Sequence, residues 1–386
     1  MHQRYMQLAL GEAVKGVYFT KPNPSVGCVI VKNNHIIAAG YHQGYGQDHA
    51  EIDALKKIQF QAQDCDLYVT LEPCAHYGKT PPCVDAIIKA GVKRVITPFN
   101  DPNPLTQGAS VEKLRQHGIE VINFVESEKC YDVNRFFMHF MRYQRPYVIA
   151  KWAMTGDGNL PLSPNPSPAS GRGEHVNTPL PLAGEGQGRG QLNWISNPQS
   201  RAHTHLLRQR ADAILIGANT LRSDNPQLTT RVPFIAEHQL KHPLRIILTT
   251  KGEFNLQQQL LNDEHTNNTL IACTSLPNQK LIAHCQTKSI KLLLLAGNTP
   301  LAKIHYLLNY LSQKNIMSLI VEGGQTVLNQ FFQHDLVDEI QCYIAQTDAD
   351  TTLLNQFTNI DDYIIREKIA IDNDTFIRAN KEYCYV

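Results

Sequence analysis

The sequence predicts an α/β protein of two domains, and three observations carry that reading. A chain of 386 residues is long for one core and suggests two domains, at most three. β-Branched or apolar runs alternate with amphipathic segments through both halves, the pattern of largely parallel sheets. The pair Arg145-Pro146 then breaks an aromatic-rich segment, which places the domains at 1–145 and 146–386.

Met1-His2-Gln3-Arg4-Tyr5-Met6 leads into a short amphipathic helix rather than a signal peptide. Residues 26–32 and 67–71 read as strands. Asp48 is a suitable N-cap for a helix over 49–58, and Pro81-Pro82 opens a second helix that runs to Ala90 and stops at Gly91. A strand over 92–97, a helix over 111–117, a strand over 120–124 and one aromatic-rich helix over 129–143 complete the first half. In the second half, strands are expected at 147–153, 211–216, 244–249, 269–274, 290–295, 316–321 and 337–344. Helices are expected at 198–208, 301–312 and 326–333. The stretch 160–190 is crowded with Pro, Gly and Ser and has no periodicity. Such a composition buries too little apolar surface to offset its ordering entropy, so it reads as an inserted, disordered loop.

Composition is that of an ordinary soluble protein: 42% hydrophobic, 18% charged, formal net charge +1. No long basic run suggests a nucleic-acid surface, and no apolar stretch is long enough to span a bilayer. Partners other than a small molecule or further copies of the chain are therefore not expected; neither nucleic acid nor membrane is. Unpaired thiols and a thiolate metal site fit a reducing, cytoplasmic location.

The chemistry concentrates in a split motif, His49-Ala50-Glu51 and then Glu72-Pro73-Cys74-Ala75-His76-Tyr77-Gly78-Lys79-Thr80-Pro81-Pro82-Cys83. One imidazole and two thiols can hold zinc and leave a fourth position for water. A glutamate two residues from the histidine can move protons to a leaving amine. This is the donor set of a zinc deaminase, H-x-E…P-C-x-x-C, except that the second cysteine lies nine positions after the first. His49 and Cys83 should each sit in the first turn of a helix, where thiol pKa values fall. The tripeptide alone means little, and most of the remaining cysteines read as small buried hydrophobes.

These residues resemble the bifunctional deaminase-reductase family of bacterial riboflavin biosynthesis. In the first half Pro22-Asn23-Pro24-Ser25-Val26-Gly27-Cys28, Gly40-Tyr41-His42, the long cysteine spacing and Asp101-Pro102-Asn103-Pro104 carry the likeness. In the second half it is carried by Lys151-Trp152-Ala153-Met154-Thr155, Asp157-Gly158, Trp194-Ile195-Ser196, Thr220 through Arg231, and Val321-Glu322-Gly323-Gly324. The resemblance implies a cytidine-deaminase-like α/β/α domain followed by a dihydrofolate-reductase-like α/β domain. It implies a phosphorylated pyrimidine substrate, one Zn2+ per chain and NADPH. His49, Cys74 and Cys83 would hold the metal, with Glu51 the proton shuttle. Asn23, whose amide both donates and accepts, would meet the pyrimidine edge, with His42 and Lys79 as further substrate contacts. His76 is not a ligand in the pattern. In the reductase, Lys151 would orient or protonate substrate; Arg208, Leu228, Arg231 and Glu322 would bind it. Ala153, Trp194, Thr220, Asp224 and Gly324 would meet NADPH, the last at a helix start suited to phosphate.

The chain departs from the pattern in three places. Gly108-Ala109-Ser110 lacks the usual basic residue, 35 residues rather than about ten separate Gly158 from Trp194, and Leu192 stands where a substrate-binding serine is usual. A leucine donates no hydrogen bond. The reductase is therefore expected to be the weaker activity, and the alternative is a deaminase whose reductase half has decayed into a stabilising module. A nucleic-acid deaminase is opposed by the charge and the cysteine spacing. A purely structural zinc site is opposed by Glu51.

Overall fold

The computed structural model describes residues 1–77, 81–103, 107–158, 196–357 and 359–382. The expected loop 160–190, Leu192, Trp194 and Lys79 lie outside the described residues. The chain divides into two compact units, one of Met1–Tyr147 with Leu311–Met317, the other of Val148–Tyr310 with Ser318–Glu382.

The first unit runs α1 (His2–Gly16), β1 (Gly27–Lys32), β2 (His35–Tyr41), α2 (Ala50–Lys57), β3 (Asp66–Val69), α3 (Cys83–Lys89), β4 (Arg94–Ile96), α4 (Ala109–Gln116), β5 (Glu120–Ile122), α5 (Ser127–Val133) and α6 (Arg135–Tyr143). Its sheet has the order β2-β1-β3-β4-β5. β1 is antiparallel to both neighbours, whereas β3, β4 and β5 are parallel. Alternate residues feed two separate cores. Cys28, Ile30, Leu67, Val69 and Val95 join the cluster containing Ala50, Ala54, Val84, Ile87 and Leu114. Val29, Val31, Tyr68 and Ile96 join the cluster containing Met6, Ala9, Cys130 and Met138. Burial on both faces explains why these strands read as continuous apolar runs. Glycine lets two helices approach: a Cβ on Gly27 would lie 2.0 Å from the Ala9 carbonyl of α1, and one on Gly40 would lie 2.5 Å from the Ala54 nitrogen of α2.

In this first unit the sequence reading differs from the structure at three points. β2 was not expected; Asn33 and Asn34, with φ of 49° and 65°, make the two-residue turn that folds it back on β1. His49, not Asp48, is the N-cap of α2. The single helix expected over 129–143 is two, broken at Asn134. That side chain is buried and pairs with the Ser25 backbone, accepting from its N–H at 2.7 Å and donating to its carbonyl at 2.8 Å. Asn134 thereby satisfies peptide groups beside Asn23 that no strand reaches.

The second unit contains β6 (Tyr147–Thr155), α7 (Pro198–Arg210), β7 (Ala213–Gly217), α8 (Ala218–Asp224), β8 (Leu244–Thr249), β9 (Thr269–Cys273), α9 (Gln279–Lys288), β10 (Lys291–Leu294), α10 (Pro300–Ser312), β11 (Ser318–Val321), α11 (Gln325–Gln333), β12 (Glu339–Ala345), β13 (Ile364–Ile371) and β14 (Asp374–Asn380). Nine strands form one sheet in the order β10-β9-β8-β7-β11-β6-β12-β14-β13. The β10-β9-β8-β7-β11 run and the β6–β12 pair are parallel. β14 is antiparallel to β12 and β13, an addition that the expected elements lacked. Among the described residues, no helix is long and apolar enough to cross a membrane.

One buried cation braces this sheet. Arg245 on β8 is fully buried. It is bidentate to Asp263 at 2.5 and 2.8 Å and donates to Thr269 Oγ1 at 2.8 and 3.1 Å. It also donates to the carbonyls of Leu260 and Gln227, each at 3.1 Å. The Gln227 contact holds the chain just before Leu228, which has a left-handed φ of 58° that costs a leucine backbone strain. Removing one partner of a buried ion pair costs about 3–5 kcal/mol. Arg245→Met should therefore lower the unfolding free energy of the second unit by about that much in urea titration. Arg245→Met combined with Asp263→Leu should recover part of the loss.

Candidate functional site

The first site is built at helix starts. His49 caps α2 in extended conformation (φ −70°, ψ 160°), and Glu51 lies in that helix's first turn. Cys83 is the first residue of α3. Cys74 lies in the loop after β3, where the Cys83 N–H donates to its sulfur at 3.3 Å. The three side chains converge, with His49 Nδ1, Cys74 Sγ and Cys83 Sγ all within 4.8 Å of one another. His49 Nδ1 is 3.5 Å from Cys74 Sγ and 3.3 Å from Cys83 Sγ. Tetrahedral zinc with Zn–S about 2.3 Å and Zn–N about 2.0 Å separates S from N by about 3.5 Å. The donor set therefore fits zinc in chemistry and in spacing. His76 is outside this cluster.

The electrostatics point the same way. Hydrogen bonding from Cys83, against the penalty of burial and with help from His49, holds the Cys74 thiol down to about 4. The Cys74 contact lifts His49 to about 9 despite burial. Cys83, bonded to that thiolate and buried, is pushed well up. Burial lifts Glu51 to about 7, opposed by the His49 charge. A divalent cation would replace the shared protons and pull these values down.

Above the cluster is a cavity of about 220 Å³ whose lining includes Asn23, His42, Glu51, His76, Asp101 and Asn103. His42 is buried, and burial lowers its pKa, so the ring is neutral. It donates from Nδ1 to the Asp48 carbonyl at 2.9 Å and accepts at Nε2 from the Asn23 amide at 3.1 Å. Two residues expected to touch substrate independently are thus a pair. His42 uses one N–H of Asn23 and so orients the remaining N–H and the oxygen. Asp101 and Asn103 belong to the quoted motif but carried no expected role; burial pushes Asp101 up to about 7. A larger, more open depression of about 530 Å³ beside α4 holds none of the ligand or proton-transfer groups.

The second site lies on the second unit. On β6, Lys151, Ala153 and Thr155 share the less buried face. Lys151 Nζ donates to Glu322 Oε1 at 2.6 Å, and Arg208 Nη2 donates to Glu322 Oε2 at 3.1 Å. Burial alone would raise the Glu322 pKa, but the two cations overcome it and hold the carboxyl near 2. The Lys151 ammonium also sits over the ring of Tyr343, 5.5 Å from its centroid, a cation–π arrangement that sequence reading missed. Tyr343 is opposite Ala153 in the β6–β12 register, so the β12 pattern was the available signal.

Arg208 Nη1 donates to the Thr229 carbonyl at 3.2 Å. Its buried Nε has no hydrogen-bond partner among the described residues, leaving a donor suited to an anion. The Arg231 N–H donates to His205 Nδ1 at 3.2 Å, and burial with the nearby Arg208 charge holds His205 down to about 4, hence neutral. His205 was another residue missed. Leu228, expected to bind substrate, is 3% exposed. Gly324 caps α11 and its N–H donates to Thr220 Oγ1 at 3.1 Å, bringing two expected cofactor contacts together. They sit where α8 and α11 follow the neighbouring parallel strands β7 and β11, the strand ends at which open α/β sheets bind ligands. The bare glycine turn fits a cofactor phosphate. Asp224 accepts from Ser223 Oγ at 2.5 Å and burial raises its pKa.

Comparison with known proteins matches both halves. Residues 146–347 match the RibD C-terminal domain, and residues 1–98 match the cytidine and deoxycytidylate deaminase zinc-binding region. The chain is 38% identical to riboflavin biosynthesis protein RibD of Aquifex aeolicus, over 89% of this chain and 86% of that protein. It is 33% identical to the Escherichia coli RibD, over 88% and 86%. The solved Acinetobacter baumannii RibD superposes with a TM-score of 0.77 at 31% identity, covering 99% of each chain. A diaminohydroxyphosphoribosylaminopyrimidine deaminase/5-amino-6-(5-phosphoribosylamino)uracil reductase from Thermotoga maritima superposes at 0.75 with 28% identity, covering 98% of each. The chain belongs to the RibD family of riboflavin biosynthesis, with a zinc-binding, cytidine-deaminase-like domain and a dihydrofolate-reductase-like domain of the NADPH-dependent reductase type.

Proposed function

We propose that this chain catalyses two consecutive steps of riboflavin biosynthesis. The first is hydrolytic deamination of a diaminohydroxyphosphoribosylaminopyrimidine. The second is reduction of the ribosyl group of the product to a ribityl chain. The observation that carries the reading is the convergence of His49, Cys74 and Cys83 beside a buried Glu51, under a cavity edged by the Asn23–His42 pair. A reducing, cytoplasmic setting suits the thiolate ligands.

In the deaminase, His49, Cys74 and Cys83 hold zinc, which when bound supplies the Lewis acidity that makes water nucleophilic near neutral pH. Glu51 would take one proton from the attacking water and pass it to the ring nitrogen, then carry a second, from the hydroxyl so formed, to the departing amine. Its burial excludes competing solvent. Asn23 presents the amide edge that reads the pyrimidine, and neutral His42 fixes which way the edge faces. Lys79 is a further substrate contact.

In the reductase, NADPH supplies hydride when bound, held by Ala153, Trp194, Thr220, Asp224 and Gly324. Glu322 anchors substrate hydroxyls and aligns Lys151. Lys151 orients the substrate or donates a proton to the carbonyl oxygen of the ring-opened sugar. Arg208 and Arg231 bind the phosphate, and the Leu228 backbone lies between them in sequence. The intact Lys151–Glu322–Arg208 triad favours a working reductase over a decayed one.

Replacing Cys74 by Ser should abolish both zinc binding and ammonia release. Full zinc content by metal analysis in an active variant would refute the ligand assignment. Glu51→Gln keeps the side chain's shape but removes its titration. Zinc should then stay while deamination falls by about 10²–10⁴, and reduction of pre-deaminated substrate should continue. Normal ammonia release would exclude Glu51 as the shuttle.

Glu322→Gln removes the negative charge that two cations bond and replaces one acceptor by an NH2 group; a hydrogen bond to a charged group is worth about 1.5–3 kcal/mol. Reductase kcat/KM should fall by about 10–100-fold or more, as NADPH oxidation would reveal. A pH signature accompanies this. A carboxyl held near 2 against an ordinary 4.5 contributes stability that is complete above pH 4.5 and is lost as pH falls through 2. Both tryptophans, Trp152 and Trp194, lie in the second half, so their fluorescence should report that loss in the native protein. Glu322→Gln should lack this component of acid destabilisation.

A further inference from the structure

Glu72 is an unusual carboxylate. It lies two residues before Cys74 and is 3% exposed. Its hydrogen-bond partners carry no positive charge. Oε2 accepts from the Asp101 N–H at 2.7 Å and the Gly108 N–H at 3.0 Å. Oε1 accepts from the Ser110 hydroxyl at 2.7 Å and the Ser110 N–H at 3.3 Å. These donors come from two places in the chain. Gly108 is the N-cap of α4, with φ of 74°, and Ser110 lies in that helix's first turn. Asp101 stands seven residues before Gly108. One buried carboxyl therefore fastens both ends of a single segment.

Two described residues of that segment, Asp101 and Asn103, face the deaminase cavity. Asp101 and Asn103 line it together with Glu72 itself, Cys74, His49 and Glu51. Asp101 Oδ1 accepts from the Asn103 N–H at 2.9 Å, and the Asn103 carbonyl accepts from the Gln107 N–H at 2.9 Å. The polar wall of the cavity is thus hung from the same short loop that carries a metal-ligating cysteine.

A helix cap needs far less than this. Capping α4 alone would use Gly108 and Ser110 and could be done from solvent by a side chain at the cap position. Burying a carboxylate without a counter-cation is costly unless several donors converge on it. Here the additional donor is Asp101, on the far end of the cavity wall.

We propose that Glu72 is a positioning residue for deamination: by clamping Asp101 to the start of α4 it fixes the substrate-facing Asp101–Asn103 wall relative to the Cys74 loop. The clamp sets how substrate is held over the metal cluster and is separate from metal binding and from proton transfer. It rests on the deaminase reading above.

The test uses the full-length, zinc-loaded protein. Glu72→Gln preserves size but turns an NH2 group toward donors that need an acceptor. Zinc should remain at one per chain, and reduction of pre-deaminated substrate should be unchanged. KM for deamination should rise by about tenfold or more while kcat changes by less than about threefold, because hydrogen bonds to a charged group are being lost from positioning alone. Hydrogen exchange should quicken in peptides over 99–103 and 107–111 together, and not in α2. Ser110→Ala removes one donor and should give a smaller shift of the same kind. The double variant should be no worse than Glu72→Gln, since the two changes act in one network.

Faster exchange at 107–111 alone, with KM unchanged, would make Glu72 a plain helix cap and overturn the proposal. Zinc loss in step with activity would overturn it as well. If Glu72→Gln fails to fold, Ser110→Ala is judged by the same readings. If native protein releases no ammonia, the deaminase reading fails, while paired exchange at the two peptides still decides whether the clamp exists.

Discussion

Burial of sheet strands on both faces governs where this protein can do chemistry. In the first unit alternate residues of β1 supply two cores, Cys28 and Ile30 to one and Val29 and Val31 to the other. A strand committed in this way has no face left for a ligand. Reactive groups are displaced to strand ends and helix starts, where backbone N–H groups are unpaired and favour anions. His49 and Cys83 open α2 and α3, and Gly324 opens α11. Lys151 is the exception, since it lies within β6, on the one face of that strand that is not sealed.

The two sites solve the problem of charge in a half-buried place differently. In the first, two thiols and an imidazole share protons at short range, so Cys74 is driven down and His49 up. A metal cation would satisfy all three donors at once. In the second, one carboxylate lies between two basic side chains. Glu322 takes one cation on each oxygen, which orients both Lys151 and Arg208 before any ligand arrives. In the first site the candidate proton shuttle, Glu51, is buried in the first turn of α2, two residues from His49. In the second site the ion triad fixes hydrogen-bond geometry instead.

Ligand chemistry was legible in the sequence because it is concentrated. His49-Ala50-Glu51 and the Cys74–Cys83 run place four functional groups on two short stretches, so residue type and spacing were enough to find them. Most strands were legible because two-sided burial writes long apolar runs. β2 and β14 were less visible for a physical reason. β2 is largely exposed at its first three positions, and both are held by hairpin pairing rather than by an uninterrupted apolar run. The break at Asn134 was invisible because its cause, the Ser25 backbone, is 109 positions away. His205, Tyr343 and Asp101 escaped for the same kind of reason, each acquiring its part from a neighbour brought in by the fold.

This asymmetry between groups that react and groups that hold them has a structural origin. A metal ligand or proton shuttle must be a particular residue type, so chemistry constrains its identity directly. A supporting group need only reach a peptide N–H or carbonyl, and many side chains can do that. Asn134 holds the backbone beside Asn23, Arg245 the carbonyl before Leu228, and His205 the Arg231 amide. All three tie loops that carry candidate site residues to the scaffold through main-chain groups. Site loops that must leave the sheet forfeit strand pairing, and their peptide groups need other partners. The side chains that supply those partners are as necessary to the site's geometry as the ligands, and only the folded chain brings them to it.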